Sequence, residues 1–183
     1  MPGTTTISPT KTTNQLHATE ARWFAVYTEY KREKLVAKML RAKGMEVYLP
    51  LQRKTRRYPN ARKVREVELP LIPCYVFVRI VRDQYVPVLE TQHVLKFLKQ
   101  RRDLLMVREE EIELLQMVIG EREVELEPGK LTAGTEVEII GGELTGVRGV
   151  YLEHRSKNEL TIELSGIGYL MHFQVDPKLV RAV

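Results

Sequence analysis

The run Leu69–Ile80, LPLIPCYVFVRI, constrains this chain more than any other stretch, because as a strand it has two apolar faces. In a strand successive side chains point to opposite sides. Cys74, Val76, Val78 and Ile80 therefore share one face and Tyr75, Phe77 and Arg79 the other. One face serves as ordinary core. The aromatic face lies either under a second layer of the same protein or on a surface that another protein covers, since clustered exposed rings are costly unless they bind something. Just before this run, Arg53–Arg65 carries seven basic residues and no acid. A basic arm thus sits beside a hydrophobic sheet.

Charge divides the chain in the same way. Residues 1–107 hold 21 Lys and Arg against 9 Asp and Glu, and residues 108–183 hold 8 against 15, so a basic half precedes an acidic one. A basic half of this kind concentrates polyanions around itself, which makes DNA or RNA the leading partner class over a mere solubility bias. The first 21 residues have neither an apolar signal core nor a span-length hydrophobic run and read as a flexible tail, so no membrane role is expected. The single cysteine, Cys74, makes no internal disulfide, which fits a reducing compartment and a cytoplasmic location.

Arg22–Thr28 is aromatic and β-branched enough for a first strand, with Trp23, Ala25 and Tyr27 on one face. A helix is expected over Tyr30–Lys43, with Leu35, Val36, Met39 and Leu40 as its stripe and Gly44 at its end. Lys31, Lys34, Lys38 and Arg41 recur at intervals of three or four along one edge of it. Such a row is commonly a solvated face. It becomes a nucleic-acid track if the basic segment lies nearby.

Glu46–Gln52 reads as a strand, and the basic segment as a long hairpin turning at Tyr58-Pro59-Asn60. Asp83–Thr91 reads as a short helix, Val94–Leu98 as a strand and Arg108–Ile119 as a helix stopped by Gly120. Residues 121–131, acidic and with Pro128-Gly129, read as a linker. Beyond it, short apolar runs at Glu136–Ile140, Val147–Leu152, Leu160–Leu164, Tyr169–Val175 and Leu179–Val183 imply a small β-barrel. The expected fold is thus an α+β domain over 22–120, an antiparallel sheet with helices, joined to a small all-β, SH3-like barrel over 132–183.

WFAVYT, the helix after it, the basic hairpin and LIPCYVFVRI resemble the N-terminal (NGN) domain of NusG-type transcription elongation factors, and GTEVEIIGGELTGVRGVYLE resembles the KOW motif that follows it. The resemblance implies that the first domain docks on the clamp helices of RNA polymerase through an apolar patch, which by position is Trp23, Tyr27, Tyr75, Phe77 and Phe97. It implies nucleic-acid contacts, to non-template DNA or nascent RNA, by Lys31, Lys34, Lys38, Arg41, Arg53, Lys54, Arg56, Arg57, Arg62, Lys63 and Arg65, with Tyr30 and Tyr58 able to stack on bases. In the KOW domain, Gly142, Gly146 and Gly149 would serve a tight hairpin. The loop from Ser165 to Tyr169, with Ile167 and Tyr169, corresponds to the family's contact with a small-subunit ribosomal protein or the termination factor Rho. Ile167 replaces an aromatic residue there, which speaks against Rho.

Two departures point from the housekeeping factor toward specialised, RfaH-like paralogues. Ile72-Pro73-Cys74-Tyr75 stands where the family typically has Phe-Pro-Gly-Tyr, and Gln92-His93-Val94 where it has Pro-Gly-Val. The expectation is an operon-specific antiterminator, monomeric, with a KOW domain that stays a barrel rather than refolding into helices. The alternatives are a housekeeping NusG-type factor and a ribosome-associated KOW RNA-binding protein.

No cofactor, metal or catalysis is expected. Cys74 with His93, or with His154 or His172, offers the only nucleophile or ligand pairing. A lone cysteine in an apolar strand is usually a small core residue, and the histidines lack ligand spacing. No phosphate loop of the GxxxxGK kind occurs.

Overall fold

The structure, a computed structural model of the chain, describes residues 15–57, 64–100, 103–119, 124–129, 134–142, 144–151, 159–164 and 167–183. It is a mixed α/β molecule built on antiparallel sheets with few helices.

The N-terminal half begins with β1 (Arg22–Thr28) and α1 (Glu33–Ala42), followed by β2 (Glu46–Tyr48), the hairpin β3 (Leu51–Arg57) and β4 (Val64–Pro70), and β5 (Tyr75–Ile80). A 3₁₀ turn, Arg82–Gln84, leads into α2 (Tyr85–Leu89), β6 (Val94–Phe97), a small hairpin of β7 (Lys99–Gln100) and β8 (Asp103–Leu104), β9 (Met106–Val107) and α3 (Glu109–Ile119). The main sheet runs β2-β5-β1-β6, with β9 also on β1, while β3 and β4 form a separate two-stranded ribbon. The apolar run read as one strand from Leu69 is therefore two, separated by a turn at Leu71–Cys74.

Alternation along β1 and β5 sorts their side chains into two cores. Phe24 and Val26 of β1 and Val76, Val78 and Ile80 of β5 pack with Val36, Ala37 and Leu40 of α1. Leu16 joins this cluster at 7% exposure, and Gln15 Oε1 accepts the Met106 N–H at 2.7 Å. The segment read as a flexible tail up to residue 21 is docked from Gln15 onward; residues 1–14 lie outside the described residues. α1 ends where Gly44 takes the left-handed conformation that a Cβ disfavours, φ +78°.

The C-terminal half contains β10 (Val124–Pro128), β11 (Thr135–Ile139), β12 (Arg148–Tyr151), β13 (Glu159–Leu164), β14 (Tyr169–Gln174) and β15 (Val180–Ala182), in one sheet ordered β10-β14-β13-β12-β11-β15. The five runs read from the sequence are thus strands. The expected linker supplies a sixth, because Val124 and Leu126 alternate with Glu125 and Glu127 and pair on the edge of β14. Gly149 is required by close approach: a Cβ there would meet the Thr161 carbonyl oxygen at 2.9 Å.

The two halves share a hydrophobic core. Trp23, Ala25 and Phe77 of the main sheet and Ile112, Leu115 and Val118 of α3 belong to one buried cluster with Val137, Ile139, Leu160, Met171 and Phe173 of the C-terminal sheet.

Candidate polymerase- and nucleic-acid-binding faces

Register across β1, β5 and β2 builds the aromatic face in rows. Trp23 opposes Arg79, which opposes Glu46; Ala25 opposes Phe77, which opposes Tyr48; Tyr27 opposes Tyr75. At one end α3 clamps the first row: the Trp23 indole donates to Glu109 Oε1 at 3.1 Å, and Arg79 Nη2 lies 3.6 Å from Glu109 Oε2. In the middle Phe77 is fully buried and stacks on Tyr48, centroids 6.2 Å apart. At the far end Tyr27 and Tyr75 meet edge to face at 5.3 Å, and Tyr75 meets Tyr169 of β14 at 6.3 Å. Gln52 Nε2 also donates to the Val124 carbonyl of β10, 3.2 Å away.

Burial holds the Tyr75 and Tyr169 hydroxyls protonated above the ordinary tyrosine range, and does the same more strongly for Tyr48. The face is therefore covered, by α3 and by the C-terminal sheet, and is not an open surface. Of the five patch residues, Trp23, Tyr27, Tyr75 and Phe77 come together. Phe97 does not. It pairs with Val26 and sits on the opposite face, stacked on Tyr85 at 4.9 Å and edge-on to Phe24. Tyr48 was missed by the sequence reading; its place opposite Phe77 becomes visible only with the register.

The basic residues of α1 and the hairpin are brought together at Glu68. Its carboxylate lies 3.9 Å from Lys34 Nζ and 3.8 Å from Arg53 Nε, so the helix row and the hairpin form one basic region. Lys38 and Lys54 are exposed. Lys31 lies over the Tyr30 ring, 5.1 Å from its centroid, and Tyr30 is 68% exposed. Arg41 instead turns to donate to the Val47 carbonyl at 3.0 Å. Arg56, Arg57 and Arg65 hold register positions in the ribbon, with Arg56 opposite Arg65. Tyr58, Arg62 and Lys63 lie outside the described residues.

Among the described residues three non-glycine residues adopt left-handed backbone: Lys31 at φ +61°, Cys74 at +65° and His93 at +69°. Two of them sit at the turns that end β1, where Thr28 N–H donates to the Cys74 carbonyl and Glu29 N–H to the His93 carbonyl. Carboxylates hold both turns. Glu33, 3% exposed, accepts the Cys74 N–H at 2.8 Å, and Glu29 Oε2 lies 2.8 Å from His93 Nδ1. Burial and the Glu33 carboxylate push the Cys74 thiol up from its ordinary range, while a hydrogen bond with Tyr27 opposes the shift. A raised thiol is a poor nucleophile at neutral pH.

Of the loop expected to meet an outside partner, Ser165 and Gly166 lie outside the described residues and Ile167 and Tyr169 face inward. Ile167 is 7% exposed within the shared core, and Tyr169 lies against Tyr75. His172 is buried beside Thr161, and His154 lies outside the described residues. Among the described residues no group of three or more His, Cys, Asp and Glu could hold a metal ion, and no helix is long and apolar enough to cross a membrane.

Residues 21–116 match the family model described as transcription termination factor nusG. A solved structure of Thermotoga maritima NusG, concerned with its domain interaction, is similar at 22% identity over 90% of this chain and 98% of that one, with a TM-score of 0.52. A chain of the MjSpt4:Spt5 complex in conformation B aligns at 20% identity over 88% of this chain and 96% of that one, with a TM-score of only 0.33. No curated protein sequence matches. With more than half of its residues under that family model, the chain belongs to the NusG family of transcription factors.

Proposed function

We propose that the protein is an operon-specific antiterminator that binds the RNA polymerase clamp through its N-terminal half and suppresses pausing and termination. No bond is made or broken. The observation that carries the reading is the tyrosine-rich end of the main sheet, where Tyr27 and Tyr75 remain partly exposed and meet edge to face, with Tyr169 of the C-terminal sheet against Tyr75. Buried rings that keep a polar tip are suited to a contact that is made and broken. Clamp binding then requires the C-terminal half to leave Tyr75. Trp23 and Phe77 support the patch from within, and Phe97 has no part in it.

Nucleic acid runs along the region joined at Glu68, with Lys31, Lys34, Lys38, Arg53 and Lys54 on phosphates and Tyr30 as a stacking platform. This contact weakens steeply with salt, whereas the aromatic one does not. The specialised role is supported by Cys74 and His93, which adopt left-handed backbone and carry side chains at positions where the family typically has glycine. The C-terminal half, a KOW barrel in this reading, meets a small-subunit ribosomal protein once released.

Capture of purified RNA polymerase on immobilised full-length chain tests the reading by sign. Tyr27→Ala with Tyr75→Ala should abolish capture, and Tyr169→Ala should increase it. Unchanged capture by the folded Tyr27/Tyr75 double variant would end the proposal.

A further inference from the structure

Among the described residues, all three left-handed non-glycine positions occupy the same place in the same kind of turn. Arg32 N–H donates to the Glu29 carbonyl at 3.1 Å, Tyr75 N–H to that of Ile72 at 3.4 Å and Val94 N–H to that of Thr91 at 3.1 Å. Lys31, Cys74 and His93 are therefore third in their turns, a place that takes Gly or Asn when its φ is positive. The turns also meet, because Thr28 N–H donates to the Cys74 carbonyl at 2.8 Å and Glu29 N–H to the His93 carbonyl at 3.0 Å. Backbone strain of this kind persists only where the surroundings over-determine it, and it gathers at functional sites.

What the first of these turns displays is Tyr30-Lys31. Tyr30, 68% exposed, is the most exposed large hydrophobic side chain among the described residues, and Lys31 Nζ lies 5.1 Å from its ring centroid. An aromatic face with an ammonium beside it matches one unpaired nucleotide, the ring taking the base and the ammonium a phosphate. His93 fixes the turn from one side. Its carbonyl accepts the Glu29 N–H, and its Nδ1 lies 2.8 Å from Glu29 Oε2; a carboxylate only accepts, so Nδ1 carries the proton. The imidazole is 15% exposed, so water competes little for that bond from its side. On the other side Arg32 is tied to α1, its carbonyl accepting the Val36 N–H at 2.8 Å. The segment that carries Tyr30 is thus held at both ends before any base arrives, which lowers the ordering cost of binding.

We propose that Tyr30 and Lys31 form a seat for a single unpaired nucleotide, and that His93, acting through Glu29, is the positioning residue that holds the ring in place. This rests on the nucleic-acid reading above and adds to it the residue that sets the stacking point. A tyrosine face accepts any base and either sugar, so single-stranded DNA and RNA offer it the same chemistry.

The test uses the full chain and two short single-stranded probes, oligo(5-iododeoxyuridine) and oligo(5-iodouridine), whose bases cross-link under irradiation to an aromatic ring stacked on them. Binding is read by titration, and the cross-linked residue by mass spectrometry at saturating protein. The wild type should cross-link at Tyr30, and the probe giving the higher yield identifies the sugar. Tyr30→Ala should weaken binding on the order of tenfold. His93→Gly accepts the left-handed backbone and deletes only the side chain. It should cut the saturated yield at Tyr30 severalfold while the salt slope, set by phosphate contacts, stays as in the wild type. His93→Asn also tolerates that backbone and puts an N–H near the place of Nδ1, so it should restore the yield. Equal yields from the wild type and His93→Gly, or equal loss in His93→Gly and His93→Asn, overturn the positioning role. A wild type that binds the probes without cross-linking at Tyr30 overturns the seat and leaves the wider reading standing, whereas one that binds neither probe ends both. Should His93→Gly fail to fold by circular dichroism, Glu29→Ala breaks the same bond from the other end, and an unchanged yield at Tyr30 in that variant overturns the positioning role as well.

Discussion

The two faces of the main sheet are equally apolar in outline but differ in what covers them. Beneath α1 the face is aliphatic and phenyl, with Phe24, Val26, Val76, Val78 and Ile80 all fully buried. The other face carries Trp23, Tyr48, Tyr75 and Tyr27, each with a polar atom at its rim, and is shared between α3 and a sheet from later in the chain. Rings that carry a polar tip suit a contact with one wet edge, and on the main sheet they are concentrated on this second face. The chemistry of the rings thus separates the two faces of one strand.

The largest effect that would break this comparison comes from the α1 face. Phe24→Ala should cost about 3–5 kcal/mol by urea unfolding, because it leaves a cavity with no route to collapse. Tyr169→Ala should cost much less, about 1 kcal/mol, since the lost edge-to-face pair borders solvent. Equal losses would erase the distinction between the faces.

Alkaline titration sharpens it further. Tyr75 and Tyr169 both have folded-state pKa values raised by burial, so the unfolded or separated form releases its protons first. The stabilisation is fully present below the ordinary tyrosine range, near pH 10, and is lost as pH rises through the folded values. Tyrosinate absorbance should show these rings lagging in the wild type, and Tyr169→Ala should bring Tyr75 back toward the ordinary range. No change in the titration curve would mean that Tyr169 does not cover Tyr75 in solution.

The smallest expected effect is at the turn beside Tyr75. Cys74→Gly removes a Cβ from left-handed backbone, worth about 1 kcal/mol or more, and returns part of that as unfolded-chain entropy. A net gain of about 0.5 kcal/mol in urea unfolding is expected. A loss would mean that the thiol's contact with Tyr27 outweighs the strain.

Much of this arrangement was legible in the chain itself. The period-two pattern of Trp23-Phe24-Ala25-Val26-Tyr27 and of Tyr75–Ile80 assigned both faces correctly, because alternation needs no knowledge of neighbours. What covers a face is not local. Phe97 was grouped with the aromatic patch, yet pairing with Val26, together with a register shift between Tyr27 and Thr28, puts it on the other side. Ile167 was placed in a partner-contact loop by the family resemblance, but it belongs to the shared core. The strand Val124–Pro128 was readable in its Val-Glu-Leu-Glu alternation and was obscured by its acids and proline.

The docking of Gln15 and Leu16 sets a practical boundary for anyone expressing this protein. Trimming to Arg22, which composition alone invites, would strip an acceptor from the Met106 amide and hollow out the core under α1. An affinity tag belongs ahead of residue 15.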